Sequence, residues 1–221
     1  DLTVWSDEAW SIFSFTTSFA ESVNSVISYT FYEIQDGERP DVVADRLYGD
    51  SDLHWTFFLV NDMDNYYRWY KDQVTFENHI KQMYPEYWLT SSNSTDIIDS
   101  TNKFLLGEII ETGTQQGNVI SVQPTFNRIG VKGGNWNAND VVTGKVSGKS
   151  FTVSSVQNGP DGIDHYVNSE GFKRNTPTTG FTPVTYYTHD YEKNEESRKI
   201  KVIRPEYIRR VVSEFEKVMA S

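Results

Sequence analysis

Residues 27–60 run in a fixed order: strand, turn, helix, glycine, helix. In 27–35 (ISYTFYEIQ), Ile27, Tyr29, Phe31 and Glu33 fall on one face and Ser28, Thr30, Tyr32 and Ile34 on the other. This β-branched and aromatic alternation predicts a strand. Asp36-Gly37-Glu38-Arg39-Pro40 then turns the chain, with Pro40 at the first helical position. Val42, Val43, Leu47 and Tyr48 keep helical spacing, and Gly49 suits a left-handed stop. A second helix starts after Asp50, with Ser51 or Asp52 as its N-cap, and is apolar almost all round through Leu53, Trp55, Phe57, Phe58, Leu59 and Val60, which predicts burial. An isolated strand cannot satisfy its own backbone. A partner must therefore come from elsewhere in the chain, and Lys199-Ile200-Lys201-Val202-Ile203 is the natural candidate.

The rest of the chain reads around that unit. A Tyr/Trp-rich loop (Tyr66, Tyr67, Trp69, Tyr70) leads to a third helix over 75–83, capped by Thr75 and broken by Pro85. Residues 91–102 are polar and read as a crossing linker. From Phe104 the pattern changes to short β-type runs between Gly/Asn/Ser turns, which predicts a small antiparallel barrel or sandwich over 104–158. Residues 159–185, rich in Gly, Pro, Asn and Thr, read as an extended surface segment. After the 199–203 strand, Pro205 opens a helix to about residue 219, with Tyr207, Ile208, Val211, Val212, Phe215 and Val218 as its apolar stripe.

Composition removes several function classes. The 221 residues carry a net charge of −11, from 31 acidic and 20 basic residues. A nucleic-acid binder needs a basic face, and the short groupings Arg198, Lys199, Lys201, Arg204 and Arg209-Arg210 sit beside Glu195, Glu196, Glu206 and Glu214. No nucleic-acid or membrane partner is expected. With no cysteine, disulfides and thiolate metal sites are ruled out. Residues 1–19 lack the cationic start and apolar core of a signal peptide, and no run of about 18 apolar residues occurs.

The segment 1–26 reads as an aromatic arm, with a short helical piece expected near 7–13. Trp5, Trp10, Phe13, Phe15 and Phe19 would form too large an exposed apolar patch for a soluble monomer. They either pack back on the body or lie against a neighbouring subunit. With Tyr66, Tyr67 and Trp69, the residues Trp5, Trp10, Phe13 and Phe15 are the candidate interface side chains, because aromatics are enriched where proteins meet.

Catalytic and metal sites find little support. Glu33, Asp36 and Glu38 might pose as a glycosidase carboxylate pair, but they flank a polar turn and read as solvated charges. Asp50, Asp52, His54, Asp62 and Asp64 lack the Gly and terminal Glu of a calcium loop, and helix capping accounts for Asp50 and Asp52. The histidines at 54, 79, 165 and 189 form no ligand motif, no Ser sits in a nucleophile elbow, and Gly133-Gly134 is a turn. No cofactor and no enzymatic activity are expected.

The strand-helix-helix order, closed by the 199–203 strand, resembles a LysM module. More specifically, Arg39, Pro40, Ala44, Leu47, Tyr48, Gly49, Leu53 and Trp55, followed by Asn61-Asp62 and the Tyr66-Tyr67-x-Trp69 run, resemble the gene product 53 family, baseplate wedge subunits of T-even and related contractile-tailed phages. His165-Tyr166-Val167-Asn168 before Gly171, and the Arg198–Ile203 run before an amphipathic helix, agree with it. The resemblance covers about 27–88 and 186–219, and 104–158 looks like an insertion. It implies an α+β fold: a discontinuous LysM-like core (27–90 and 186–221) closed by the C-terminal strand and helix, with an inserted antiparallel β module. It further implies a structural virion subunit that is assembled in the host cytoplasm and links wedges into a sixfold baseplate. The alternative is a LysM module binding peptidoglycan or N-acetylglucosamine chains, in which Trp55 stacks on sugar. Against it stand the single copy and the apolar surroundings expected of Trp55, which favour a core role beside Leu47 and Leu59.

Overall fold

The computed structural model describes residues 29–93, 97 and 104–219. The chain divides into two compact units, one comprising the chain up to Gln73 together with Lys193 onward, the other Val74–Glu192. The expectations for 1–26, including the helical piece near 7–13 and the arm aromatics, lie outside the described residues, as do those for most of the 91–102 linker.

In the first unit, β1 (Tyr29–Glu33) pairs antiparallel with β11 (Lys199–Ile203), Tyr29 opposite Ile203 and Glu33 opposite Lys199. The long-range pairing demanded by the sequence is thus made. α1 (Pro40–Tyr48) has Pro40 at its start and ends at Gly49, whose φ of 72° is the left-handed conformation that a side chain resists. The Gly49 amide donates to Asp45 O at 2.8 Å. A single 3-10 turn (Ser51–His54) then precedes α2 (Trp55–Val60). The cap here is Asp50, whose carboxylate accepts from the Asp52 amide at 2.9 Å, rather than Ser51 or Asp52.

The core of this unit joins Ile34, Val43, Ala44 and Phe57 to Ile200 and Val202 of β11. A continuation gathers Val60 and Ile203 with Ile208 and Val211 of α5 (Pro205–Met219). Tyr207, expected in the α5 stripe, is exposed instead, while Ile208 and Val211 are buried. The positions three and four apart face the core, and Tyr207 falls one step outside that arc.

In the second unit the β module is a closed six-stranded barrel in the order β2-β5-β4-β3-β6-β7. The strands are β2 (Tyr87–Ser91), β3 (Ile109–Thr112), β4 (Gln115–Gln123), β5 (Arg128–Lys132), β6 (Val141–Gly144) and β7 (Ser150–Asn158). β2 closes the ring by pairing with both β5 and β7. Leu89, Ile110, Val119, Ile129 and Val153 are fully buried and form one apolar core with the barrel's other buried side chains.

Two sequence readings are corrected. Residues 159–185 are not simply an extended segment: β8 (Ile163–Val167), β9 (Lys173–Arg174) and β10 (Thr182–Thr185) form a three-stranded sheet in the order β10-β8-β9. The chain then enters helix α4 (Tyr186–Glu196). The third helix, α3, spans Gln73–Met83 and so begins ahead of Thr75.

Candidate assembly surfaces

Several motif residues make contacts within the first unit. Asn61 holds β11 from both sides of its amide: its NH2 donates to Phe57 O and to Lys201 O, and its oxygen accepts from the Lys201 amide, each at 2.8 Å. Tyr48 donates its hydroxyl to Ile203 O at 2.9 Å, and burial pushes that hydroxyl up to about 12. Asp62 takes the left-handed conformation, φ 52°, that ends the α2 region. Pro40 is buried, Leu47 and Leu53 are half-buried, and Arg39 forks onto Asp41 at the surface. Asn61 and Tyr48 thus fix β11 against α1 and α2.

Trp55 is half-buried with its ring 4.5 Å from that of Phe215 on α5. A face so covered is not open for a sugar ring. Trp69, counted above among interface aromatics, is 3% exposed and donates its indole NH to Glu38 O at 2.8 Å. A buried indole needs such a partner. By contrast Tyr66 is well exposed and Tyr67 is 77% exposed. The placement of Trp5, Trp10, Phe13 and Phe15 lies outside the described residues.

The carboxylates near the first strand are committed to structure. Burial works against the charge of Glu38, but the Gln35 amide, the Tyr32 hydroxyl and the Arg46 guanidinium bind it and hold its pKa below the usual range. Asp36 accepts from Tyr70 and Arg198, each at 2.9 Å. A general acid needs a raised pKa, the reverse of what these partners do to Glu38, and Asp36 is largely exposed.

A surface that the sequence reading did not single out is the outer face of the β1-β11 ribbon. Phe31 is 56% exposed, Tyr29 is exposed beside it, and their rings meet edge to face at 5.9 Å. Lys199 Nζ lies 4.8 Å from the Phe31 ring centre and Lys201 Nζ 5.3 Å from that of Tyr29. The strand alternation did carry a signal, since Tyr29 and Phe31 share the face with Glu33, the face opposite Ile34.

In the second unit Arg128 is 2% exposed, with its guanidinium 4.3 Å from the Trp88 ring centre and 4.5 Å from that of Phe126. It donates to Ile163 O and so ties β8 to the barrel. Burial lowers its pKa, but an arginine stays charged. Nearby, Asp164, His165 and His189 bring one potential ligand atom each to within 4.8 Å of one another, the only such group among the described residues. The 23 residues between the two histidines left no motif to read.

Comparison with known proteins agrees with the family resemblance. Residues 8–88 match the family described as base plate wedge protein 53. The match covers β1, α1, α2 and α3 and reaches into β2. No curated protein matches the chain.

Proposed function

We propose, from the match of residues 8–88 to the base plate wedge protein 53 family, that the chain is a non-enzymatic structural subunit of the phage tail baseplate wedge, linking neighbouring wedges in a sixfold ring. The family match carries this reading. The motif residues support it by serving internal packing, while the exposed aromatics supply contact surface. On this reading β1, α1, α2 and β11 are a LysM-like strand-helix-helix-strand core used as a docking scaffold, and the subunit is assembled in the host cytoplasm and carried in the virion. A closed ring calls for heterologous contacts, so two different surfaces are engaged. The Tyr29/Phe31 ribbon face and the Tyr66/Tyr67 loop are two such surfaces, and the arm aromatics Trp5, Trp10, Phe13 and Phe15 extend the contact.

The test is capture of other wedge proteins by the tagged chain, comparing wild type with Phe31→Ala and Tyr67→Ala. Both side chains are largely exposed, so thermal stability should be unchanged. Capture should fall about tenfold or more for at least one variant, as loss of an aromatic anchor does. Undiminished capture by both, with tight binding of chitin oligomers, would favour the glycan-binding reading instead.

A further inference from the structure

We propose that Asp164, His165 and His189 form a binding site for a divalent transition-metal ion of the zinc type, pinning β8 to α4. The geometry starts with a register irregularity. Val184 of β10 pairs with His165 and Thr185 with Ile163, so Asp164 is an extra residue on β8. Consecutive strand residues normally point to opposite faces, and a bulge lifts that restriction. Here Asp164 Oδ2 lies 2.7 Å from His165 Nδ1 and 3.8 Å from His189 Nε2 of α4. The two imidazole rings meet edge to face, 5.1 Å apart.

A tetrahedral ion with bonds of about 2.0–2.2 Å holds its ligand atoms about 3.3 Å apart. The observed separations of 2.7 and 3.8 Å, and none above 4.8 Å, bracket that edge. Small side-chain shifts are enough to close them on an ion. Two imidazoles and one carboxylate are borderline ligands that suit zinc-like ions better than calcium or magnesium, which prefer all-oxygen sites. His165 is 6% exposed, so its orientation is already fixed by packing. His165 Nδ1 and Asp164 Oδ2 already face one another at 2.7 Å, and an ion bound through both requires the imidazole tautomer whose proton sits on Nε2.

Local charge also favours a cation. Asp190 accepts from Tyr84 at 2.6 Å, and burial, that bond and the charges of Asp190 and Asp164 all push the Tyr84 hydroxyl up. Asp190 thus adds a second carboxylate next to His189 in sequence, against the buried guanidinium of Arg128. The chain lacks cysteine, so a thiolate cannot compete for the ion.

The test is calorimetric titration of the full, untagged chain with Zn²⁺, with Co²⁺ as a spectroscopic probe. One ion per chain is expected, with visible Co²⁺ absorption of four-coordinate intensity. His165→Ala and Asp164→Asn should each weaken zinc binding about tenfold or more, and His54→Ala should leave it unchanged. His165 is buried and its variant risks misfolding, so His189→Gln and zinc-dependent hydrogen exchange on the wild type serve beside it. Zinc should slow exchange at β8 and α4 selectively. Absence of stoichiometric binding, a weakly absorbing six-coordinate Co²⁺ spectrum, binding that survives His189→Gln, or protection spread elsewhere would each overturn the proposal.

Discussion

At the scale of single residues, Asn61 shows how one side chain can decide a strand. It closes a pair of backbone-like hydrogen bonds onto Lys201 and a third onto Phe57. Asn61→Ala strands the Lys201 amide and carbonyl, each costing about 1–3 kcal/mol if left unpaired. The expected loss is about 2–4 kcal/mol, read as a lower urea midpoint at unchanged slope. Tyr48 gives a pH signature. Its pKa is raised from 10.0 to about 12 by burial, so folding favours the neutral hydroxyl. That contribution is complete below pH 10 and is lost as pH rises through 12. Tyr48→Phe cannot ionise, so its stability should fall less between pH 9 and 11.5 than that of the wild type. Tyr70, also raised to about 12, keeps the difference partial. The roles of Tyr48 and Asn61 were legible as motif positions. Their hydrogen-bond partners were not, because those lie at 201 and 203, far along the chain.

Elements were legible where pattern and partner were local. The strand at 29–33, the glycine-stopped helix and the C-terminal helix follow from periodicity and caps. β2 was hidden because YWLTS lies alone between the Pro85 break and the polar 91–102 run, and only its β5 and β7 neighbours, far along the chain, make it a strand. β10 contains Pro183, which argues against a central strand, and the residue is tolerated because β10 lies at the sheet edge. α4 lacks an aliphatic stripe; its buried face is aromatic, with Tyr186 stacked 4.5 Å from Tyr84 and Tyr187 packed edge-on to Phe76. The loop after β7 is set by Gly159, whose amide donates to Glu86 O and whose carbonyl accepts from the Trp88 indole. A Cβ there would overlap the Pro85 carbonyl, a backbone group unable to swing aside. Gly159→Ala should therefore cost about 2–3 kcal/mol, in the range of overpacked sites. Faster amide exchange in β2 and β7 is the expected readout, with β1 and β11 unaffected.

At the scale of the whole molecule, the first unit depends on both ends of its sequence. Among the described residues β1 has β11 as its only strand partner, and Ile200 and Val202 complete the core built by Val43, Ala44 and Phe57. The barrel has no such dependence, since all six strands fall within 87–158. Closing the first unit across more than 160 positions also makes its contacts highly non-local, and non-local pairing folds slowly. Removing residues 199–221 should thus act very unevenly. It takes away β11 and α5, strips the Phe215 ring from Trp55, and leaves β1 unpaired. Burial lost from Ile200, Val202, Ile203, Ile208 and Val211 amounts to several kcal/mol at about 1.5–3 kcal/mol for each large side chain, comparable to the entire stability of a small domain. The first unit should unfold, with Trp55 and Trp69 emission shifting to the red and exchange protection vanishing over α1 and α2. Protection over β3–β7 should persist at wild-type levels. Loss of protection in the barrel as well would mean that the two units fold as one cooperative body.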